Sequence, residues 1–412
     1  NWSKPPGAVV DEAANTITFD QTDLSAGGST TFDGEFTAGN DIPDELAAYR
    51  SNKNGTWNTA ADWDIENDGD GLFDDGNGVP QPGSQVIIRG ADEITMTSTT
   101  DNDQNIFSVE IDGILDVGDS DGHNFGDISG TGTLRVTSNT TSIALPGGNY
   151  DAFFTTGDGA LDFAGTGNYT IPQDFSEIRG LTISDGGTKT LPDFTLDVGT
   201  DGITILDGAT LDNNTNNNIL NVSGDVNIVD GTFNLGGSAA SLSAQNLTLT
   251  TGTFNSSGAD IDLSGDVSID GGTFSAGSGN LNLEGDFDLN AIATFNNNSG
   301  TIIFDGASDQ NLTGDFSTGT FNDLQVNKSG GELVLGASAD VQVSNVLALN
   351  GGNINTQASA AAFRLLNGVG SISRTSGYIN GPLQVDLTDD DAFNFPLGKS
   401  GNYKPLNLKI QN

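Results

Sequence analysis

The chain has 412 residues, with 13 basic against 56 acidic side chains and a net charge of −43. A surface this acidic repels phosphate backbones and anionic headgroups, which speaks against a nucleic-acid partner and against direct membrane insertion. No cysteine is present, so disulfide staples are excluded, and no apolar run approaches the about 18 residues that a membrane helix needs.

Hydrophobic residues make up 34% of the chain and glycines number 57. Asn, Asp, Thr and Ser are abundant, and the apolar residues fall in short alternating runs. This pattern reads as turn-dense β structure, because the apolar residues are periodic and not merely sparse.

Residues 1–45 alternate weakly, as in Thr16-Ile17-Thr18-Phe19, and read as the end of a preceding β unit. A short helical turn is predicted at Pro43–Tyr49, the only stretch that allows one. Residues 46–100 differ in kind. Trp57 and Trp63 lie six apart, followed by an acidic loop and a strand pattern over Gln85–Arg89. The tryptophans read as a packing cap over the first coil of the periodic region, since an uncovered stack exposes apolar surface and unpaired edges.

From 101 to 370 the chain is periodic. Phe233, Phe254, Phe274 and Phe295 recur in steps of 21, 20 and 21 residues, three of them in Gly-Thr-Phe. Val222, Leu242, Leu263 and Leu283 form a second row with steps of 20, 21 and 20. Near-copies of Ser-Gly-Asp-Val begin at Ser223, Ser264 and, as Glu-Gly-Asp-Phe, at Glu284.

A period near 20 is that of a solenoid whose coils bury their apolar edges only by stacking. The predicted fold is all-β, a parallel β-helix or β-solenoid of roughly 13 coils and about 60 Å at the usual strand spacing. Five buried apolar side chains per coil would contribute roughly 7–15 kcal/mol. Ordering the coil costs about as much or more, so single coils should not fold alone. Asn pairs such as Asn213-Asn214 and the run Asn296-Asn297-Asn298 are assigned to turns. Residues 140–180 are less regular and rich in aromatics (Tyr150, Phe153, Phe154, Phe163, Tyr169, Phe175), as in a bulged coil or an inserted hairpin. Residues 371–412 lose the period and read as a β-rich element, a hairpin or the first strands of a sandwich. The strand-like close and the opening at Asn1 read as a segment cut from a longer polypeptide.

The sharpest chemical signal is the acidic loop. Asp64, Glu66, Asp68, Asp70, Asp74 and Asp75 crowd six carboxylates into twelve residues. Alternating oxygen ligands around a turn glycine suit Ca2+. One register uses Asp64, Glu66, Asp68, Gly69 and Asp75. Another uses Glu66, Asp68, Asp70, Gly71, Asp74 and Asn77, and resembles the calcium repeats of thrombospondin type 3. The bland reading is a solvated acidic turn.

Catalytic residues are not assigned. The one histidine, His123, lies in a turn-like Asp-Ser-Asp-Gly-His-Asn stretch and reads as a solvated side chain. Arg89, Arg135, Arg179, Lys189, Arg364 and Arg374 are scattered in sequence. Paired carboxylates are inevitable among 56 and carry no information.

Two sets of segments together carry a resemblance. Tyr49-Arg50-Ser51-Asn52-Lys53-Asn54-Gly55-Thr56-Trp57, Trp63 and Val79-Pro80-Gln81-Pro82-Gly83-Ser84-Gln85-Val86-Ile87-Ile88 resemble the opening of repeat regions in large secreted surface proteins of the Bacteroidota. Gly377-Tyr378-Ile379-Asn380-Gly381-Pro382-Leu383, with Phe393–Gly398 and Tyr403–Leu406, resembles their closing element. The acidic loop is longer than in that pattern. The resemblance implies export by the type IX secretion system, an extracellular, cell-surface location and an adhesin-like or gliding-associated role. The expected function is a structural or adhesive segment, with surface glycans, other cell-surface proteins and the secretion machinery as partners. The alternative is a carbohydrate-active β-helix enzyme, either a polysaccharide lyase or a glycoside hydrolase.

Overall fold

A computed structural model describes residues 9–11, 16–18, 47–66, 71–74, 76–97, 105–173, 175–213, 218–317, 319–359, 363–366, 372–387 and 392–409. The chain winds as a parallel β-solenoid of about 13 turns with a mean spacing of about 22 residues. In the regular part each coil contributes three short strands. One coil holds Ser241–Ala244, Leu247–Leu249 and Thr253–Ser256. The next holds Asp260–Leu263, Val267–Ile269 and Thr273–Ser275. Every strand pairs in parallel with its counterpart one coil on, which makes three ladders.

Period-2 alternation sends one side chain inward and the next outward. In the second of these coils Ile261, Leu263, Val267, Ile269 and Phe274 are all buried. The phenylalanine row holds in register, as Phe233, Phe254, Phe274 and Phe295 stand opposite one another in successive coils. Phe254 and Phe274 stack at 4.9 Å with an 11° interplanar angle. The glycine that precedes three of the four Thr-Phe pairs has a steric reason. A Cβ on Gly252 would sit 2.2 Å from the carbonyl oxygen of Gly231 in the coil below. Of the Asn run assigned to a turn, Asn298 takes the left-handed backbone at φ 53°, whereas Asn296 is corrected to the end of the strand Thr294–Asn296, where ladder pairing holds it extended.

The second predicted row is corrected. Leu242 stands opposite Leu220, not Val222, and Val222 precedes Ala244 in its own row. The coil between Leu220 and Leu242 is 22 residues long and the next, to Ile261, is 19. A turn that lengthens and then shortens moves a side chain by two positions while keeping it on the inner face, so alternation alone does not detect the slip.

At the N-terminal end Ala48–Ser51 pairs in parallel with Gln85–Ile88, so the segment carrying the tryptophans supplies a coil of the ladder. Trp63–Glu66 then folds back antiparallel on the outer edge of that strand. Trp57 and Trp63 are fully buried, edge to face at 5.4 Å, and Trp57 stacks on Phe125 at 5.6 Å. The helical turn expected at 43–49 is replaced, over its described part, by the start of the strand Ala48–Ser51. Ladder pairing from an edge strand outweighs a weak local helix preference.

Parallel pairing continues to Leu383–Val385. Ala392–Phe395 then pairs antiparallel with Leu406–Lys409, the hairpin alternative for the C-terminal element. Among the described residues no helix is long and apolar enough to cross a membrane.

Candidate functional site

The irregular coil at 140–180 holds the most distinctive surface feature. Leu134 pairs with Leu161, a step of 27 residues, so this coil carries about five residues more than the mean. They are stored in the edge strand Gly147–Asn149 and a single π-helical turn, Ala152–Thr156. It is a bulged coil without an inserted hairpin. The first ladder is interrupted here. Gly147–Asn149 pairs with Asn124–Ser129 on one side, and the ladder resumes only where Glu177–Ile178 pairs with Asp197–Val198. The π-helical turn packs against the strands on both sides of the gap.

The six aromatics of this stretch divide by depth. Phe153, Phe163 and Tyr169 are buried in the core, and so is Phe154, at 7% exposure. Tyr150, Phe154 and Phe175 line a recess of about 400 Å³ at the interruption, together with Asn149, Asp151 and Glu177. Tyr150 and Phe154 stack at 5.6 Å and 10°, and Phe175 meets both edge-on at 4.9 and 5.5 Å. The Tyr150 hydroxyl donates to the Pro146 carbonyl at 2.7 Å, which fixes the ring at the rim. Asn149 Oδ1 accepts from the Asp151 amide, and its Nδ2 donates to Asp127. Among the described residues no Lys or Arg lines the recess. Arg179, two residues beyond Glu177 on the same strand, is held by Asp158 and Asp201.

Beneath this coil lies a polar cluster made of residues scattered in sequence. Arg135 Nε donates to Asp162 at 2.8 Å and its Nη1 to Glu93 at 3.2 Å, while Ser184 Oγ donates to the other Asp162 oxygen. Burial pushes the Asp162 carboxyl up, against the Ser184 and Arg135 hydrogen bonds. Lys189 is fully buried, and its ammonium donates to the carbonyls of Gly165, Ser184 and Gly186 and faces the Tyr169 ring at 5.6 Å. Burial lowers its pKa to about 8, with Asp185 and Asp162 pulling the other way. Burial first, and then the Asp162 charge, raises the Tyr169 phenol. The cluster ties turn carbonyls together. A second buried lysine, Lys328, does the same for Gly306 O and Gln310 Oε1.

The predicted metal residues divide. Asp64 lies on Trp63–Glu66, accepts from Asn52 Nδ2 at 2.8 Å and faces Arg50 at 3.8 Å. Glu66 ends that strand and receives a 3.5 Å contact from the Gly71 amide, and Asp74 is exposed. Asp68, Asp70 and Asp75 lie outside the described residues. The base of the loop is closed: Asp64 bridges Asn77, the Ile65 amide donates to Gly76 O, and Asn77 Nδ2 donates to Trp63 O. Among the described residues no group of three or more acidic or histidine side chains is placed to hold a metal.

His123 is corrected. It is buried, at 5% exposure, and stacks on Phe125 at 6.0 Å. The turn-like sequence around it concealed this, because the ring points into the aromatic column below Trp57. The recess was also missed as a site. Its only sequence signal is a cluster of aromatics where the period lapses.

No protein family, curated protein or solved structure matches the chain.

Proposed function

We propose that this chain is a structural and adhesive segment of an extracellular bacterial cell-surface protein, serving attachment or gliding motility. The observation that carries the reading is the sameness of the outer faces. Asn227, Thr248, Ser268, Asp288 and Thr313 form one outward row, and Asp212, Asn234, Asn255, Ser275 and Asn296 another. Repeated small polar rows suit many weak contacts better than one tuned site. The resemblance of 49–88 and 377–406 to Bacteroidota surface proteins supports the same reading. It makes surface glycans or other cell-surface proteins the standing partners and the type IX secretion machinery a transient one.

Calcium belongs to this proposal. The base of the 64–77 loop is closed, and the six carboxylates that the sequence crowds into it would repel one another until a cation neutralised them. Asp64, Glu66, Asp68, Asp70, Asp74 and Asp75 are the proposed ligands.

One observation favours the enzyme reading, namely the aromatic recess with Asp151 and Glu177 at its edge. A single experiment separates the two. The chain and a tandem dimer of it are incubated with a polysaccharide panel in millimolar Ca2+ or chelator, and retention and new reducing ends are both measured. The adhesive reading expects stronger retention by the dimer, no reducing ends, a lower melting temperature in chelator and weaker calcium binding in Asp68→Ala/Asp70→Ala. Steady release of reducing ends that is lost in Glu177→Gln would replace it with the enzyme.

A further inference from the structure

At the recess the first ladder is interrupted, and its lining has a definite chemistry. Two half-buried rings, Tyr150 and Phe175, face it, and the buried ring of Phe154 backs them. Their centroids lie 4.9–5.6 Å apart, so the rings touch one another. An aromatic cage for an ammonium group needs its rings spread around the cation, each within about 6 Å of it, with space between them. Rings already in contact leave no such space and act as a platform.

A platform suits a flat, weakly polar face. The C–H groups on one side of a pyranose ring carry partial positive charge and meet the negative π-face favourably. The rim supplies acceptors, since the carboxylates of Asp151 and Glu177 take hydroxyl donors in charge-assisted hydrogen bonds. The seam adds more. Among the described residues Gly147–Asn149 has its ladder partner only toward 124–129, and Glu177–Ile178 only toward 197–198. The strand edges facing the gap therefore present backbone groups to an occupant. The volume of about 400 Å³ falls in the range of small-molecule sites.

Charge decides among glycans. With two carboxylates at the rim, no basic residue in the lining among the described residues and a net charge of −43, a uronate, sulfate or phosphate would be repelled.

We propose that the recess between Asn149 and Glu177 is a saccharide-binding site for neutral hexose units, with the half-buried Tyr150 and Phe175 stacking on the sugar, Phe154 backing them, and Asp151 and Glu177 accepting its hydroxyls. The proposal rests on the adhesive reading, in which it gives an otherwise repetitive surface its selectivity. One sugar on one platform binds weakly, and strength comes from multiple copies.

The test is titration calorimetry and saturation-transfer NMR on the full chain with cellotetraose, mannotetraose, tri-galacturonate and choline. A neutral tetrasaccharide should bind with a millimolar to submillimolar Kd. Tyr150→Ala and Phe175→Ala should each weaken it at least tenfold with an unchanged melting temperature, and Tyr150→Phe should retain it. Neither ring is fully buried, and a variant that does unfold is replaced by Glu177→Gln, which should weaken binding without touching the platform.

No binding by either neutral probe, binding indifferent to all of these variants, or preference for tri-galacturonate or choline would overturn the proposal. Retention of the tandem dimer on a cellulose or mannan surface keeps the two ideas apart. Retention that survives Tyr150→Ala sinks the recess and spares the adhesive reading. Free-sugar binding without surface retention does the reverse.

Discussion

The coils between Ile219 and Asn296 and the coil between Leu134 and Leu161 solve the same problem in opposite ways. In the regular coils each side chain meets a similar one above and below. Phe254 lies between Phe233 and Phe274, and Asn255 Nδ2 reaches Asn234 Oδ1 at 3.1 Å. Polar corners follow the same rule, as the Asn246, Asp266 and Asp286 side chains each accept from a backbone amide one coil on. The irregular coil has no such neighbours at its interruption. It fills the gap with rings and a π-helical turn, and beneath it the charges of Arg135, Asp162 and Lys189 gather. Repetition yields stability from like-on-like contacts and a surface without a distinctive point. Breaking the repeat forfeits ladder hydrogen bonds and creates a concave, chemically mixed patch, in keeping with the placement of functional sites where local rules are broken.

The contrast predicts where substitutions are felt. Phe274→Ala should have the largest effect, a loss of about 3–5 kcal/mol, because the cavity opens within a close-packed column. Hydrogen exchange should accelerate in the coils carrying Phe254 and Phe295 and leave the Trp57 coil unchanged. Acceleration confined to one strand would show that the coils are less coupled than the stacking implies.

Lys189→Met should cost about 1–3 kcal/mol by leaving buried carbonyls without a donor. It also carries a pH signature. The folded-state pKa of about 8 lies below the ordinary lysine value, so the unfolded chain binds more protons between those limits. Stability contributed at this site therefore rises as pH climbs from 8 toward about 10.4. Denaturation of wild type and Lys189→Met at pH 7, 8, 9 and 10 should show a gap that widens in favour of the wild type. A constant gap would mean the ammonium is not desolvated.

Gly252→Ala places its Cβ 2.2 Å from Gly231 O, and overpacking of that kind costs about 1–3 kcal/mol. The melting temperature should fall, and protection should drop at the Gly231 and Gly272 turns. On the other side of the comparison, Thr155→Ala in the π-helical turn should change stability by less than about 0.5 kcal/mol, because the side chain is exposed. A large loss there would make the irregular coil as constrained as the regular ones.

Much of the architecture was legible in advance. The Phe233–Phe295 row, the alternation around it and the Gly-Thr-Phe turns are local patterns repeated at a near-constant interval. A strand that buries alternate residues against a copy of itself has little other choice of fold. The partner of Leu242, the burial of His123, the internal place of Lys189 and the recess at Tyr150 were decided by tertiary structure. Each depends on how far one turn lengthens relative to the next, which sets the side chain that lies a coil away and about 20 or more residues distant in sequence. The same holds for the acidic loop. Its composition is plain in the chain, but the closure of its base comes from Trp63–Glu66 folding back on a strand edge, a contact that exists only once the first coil is in place.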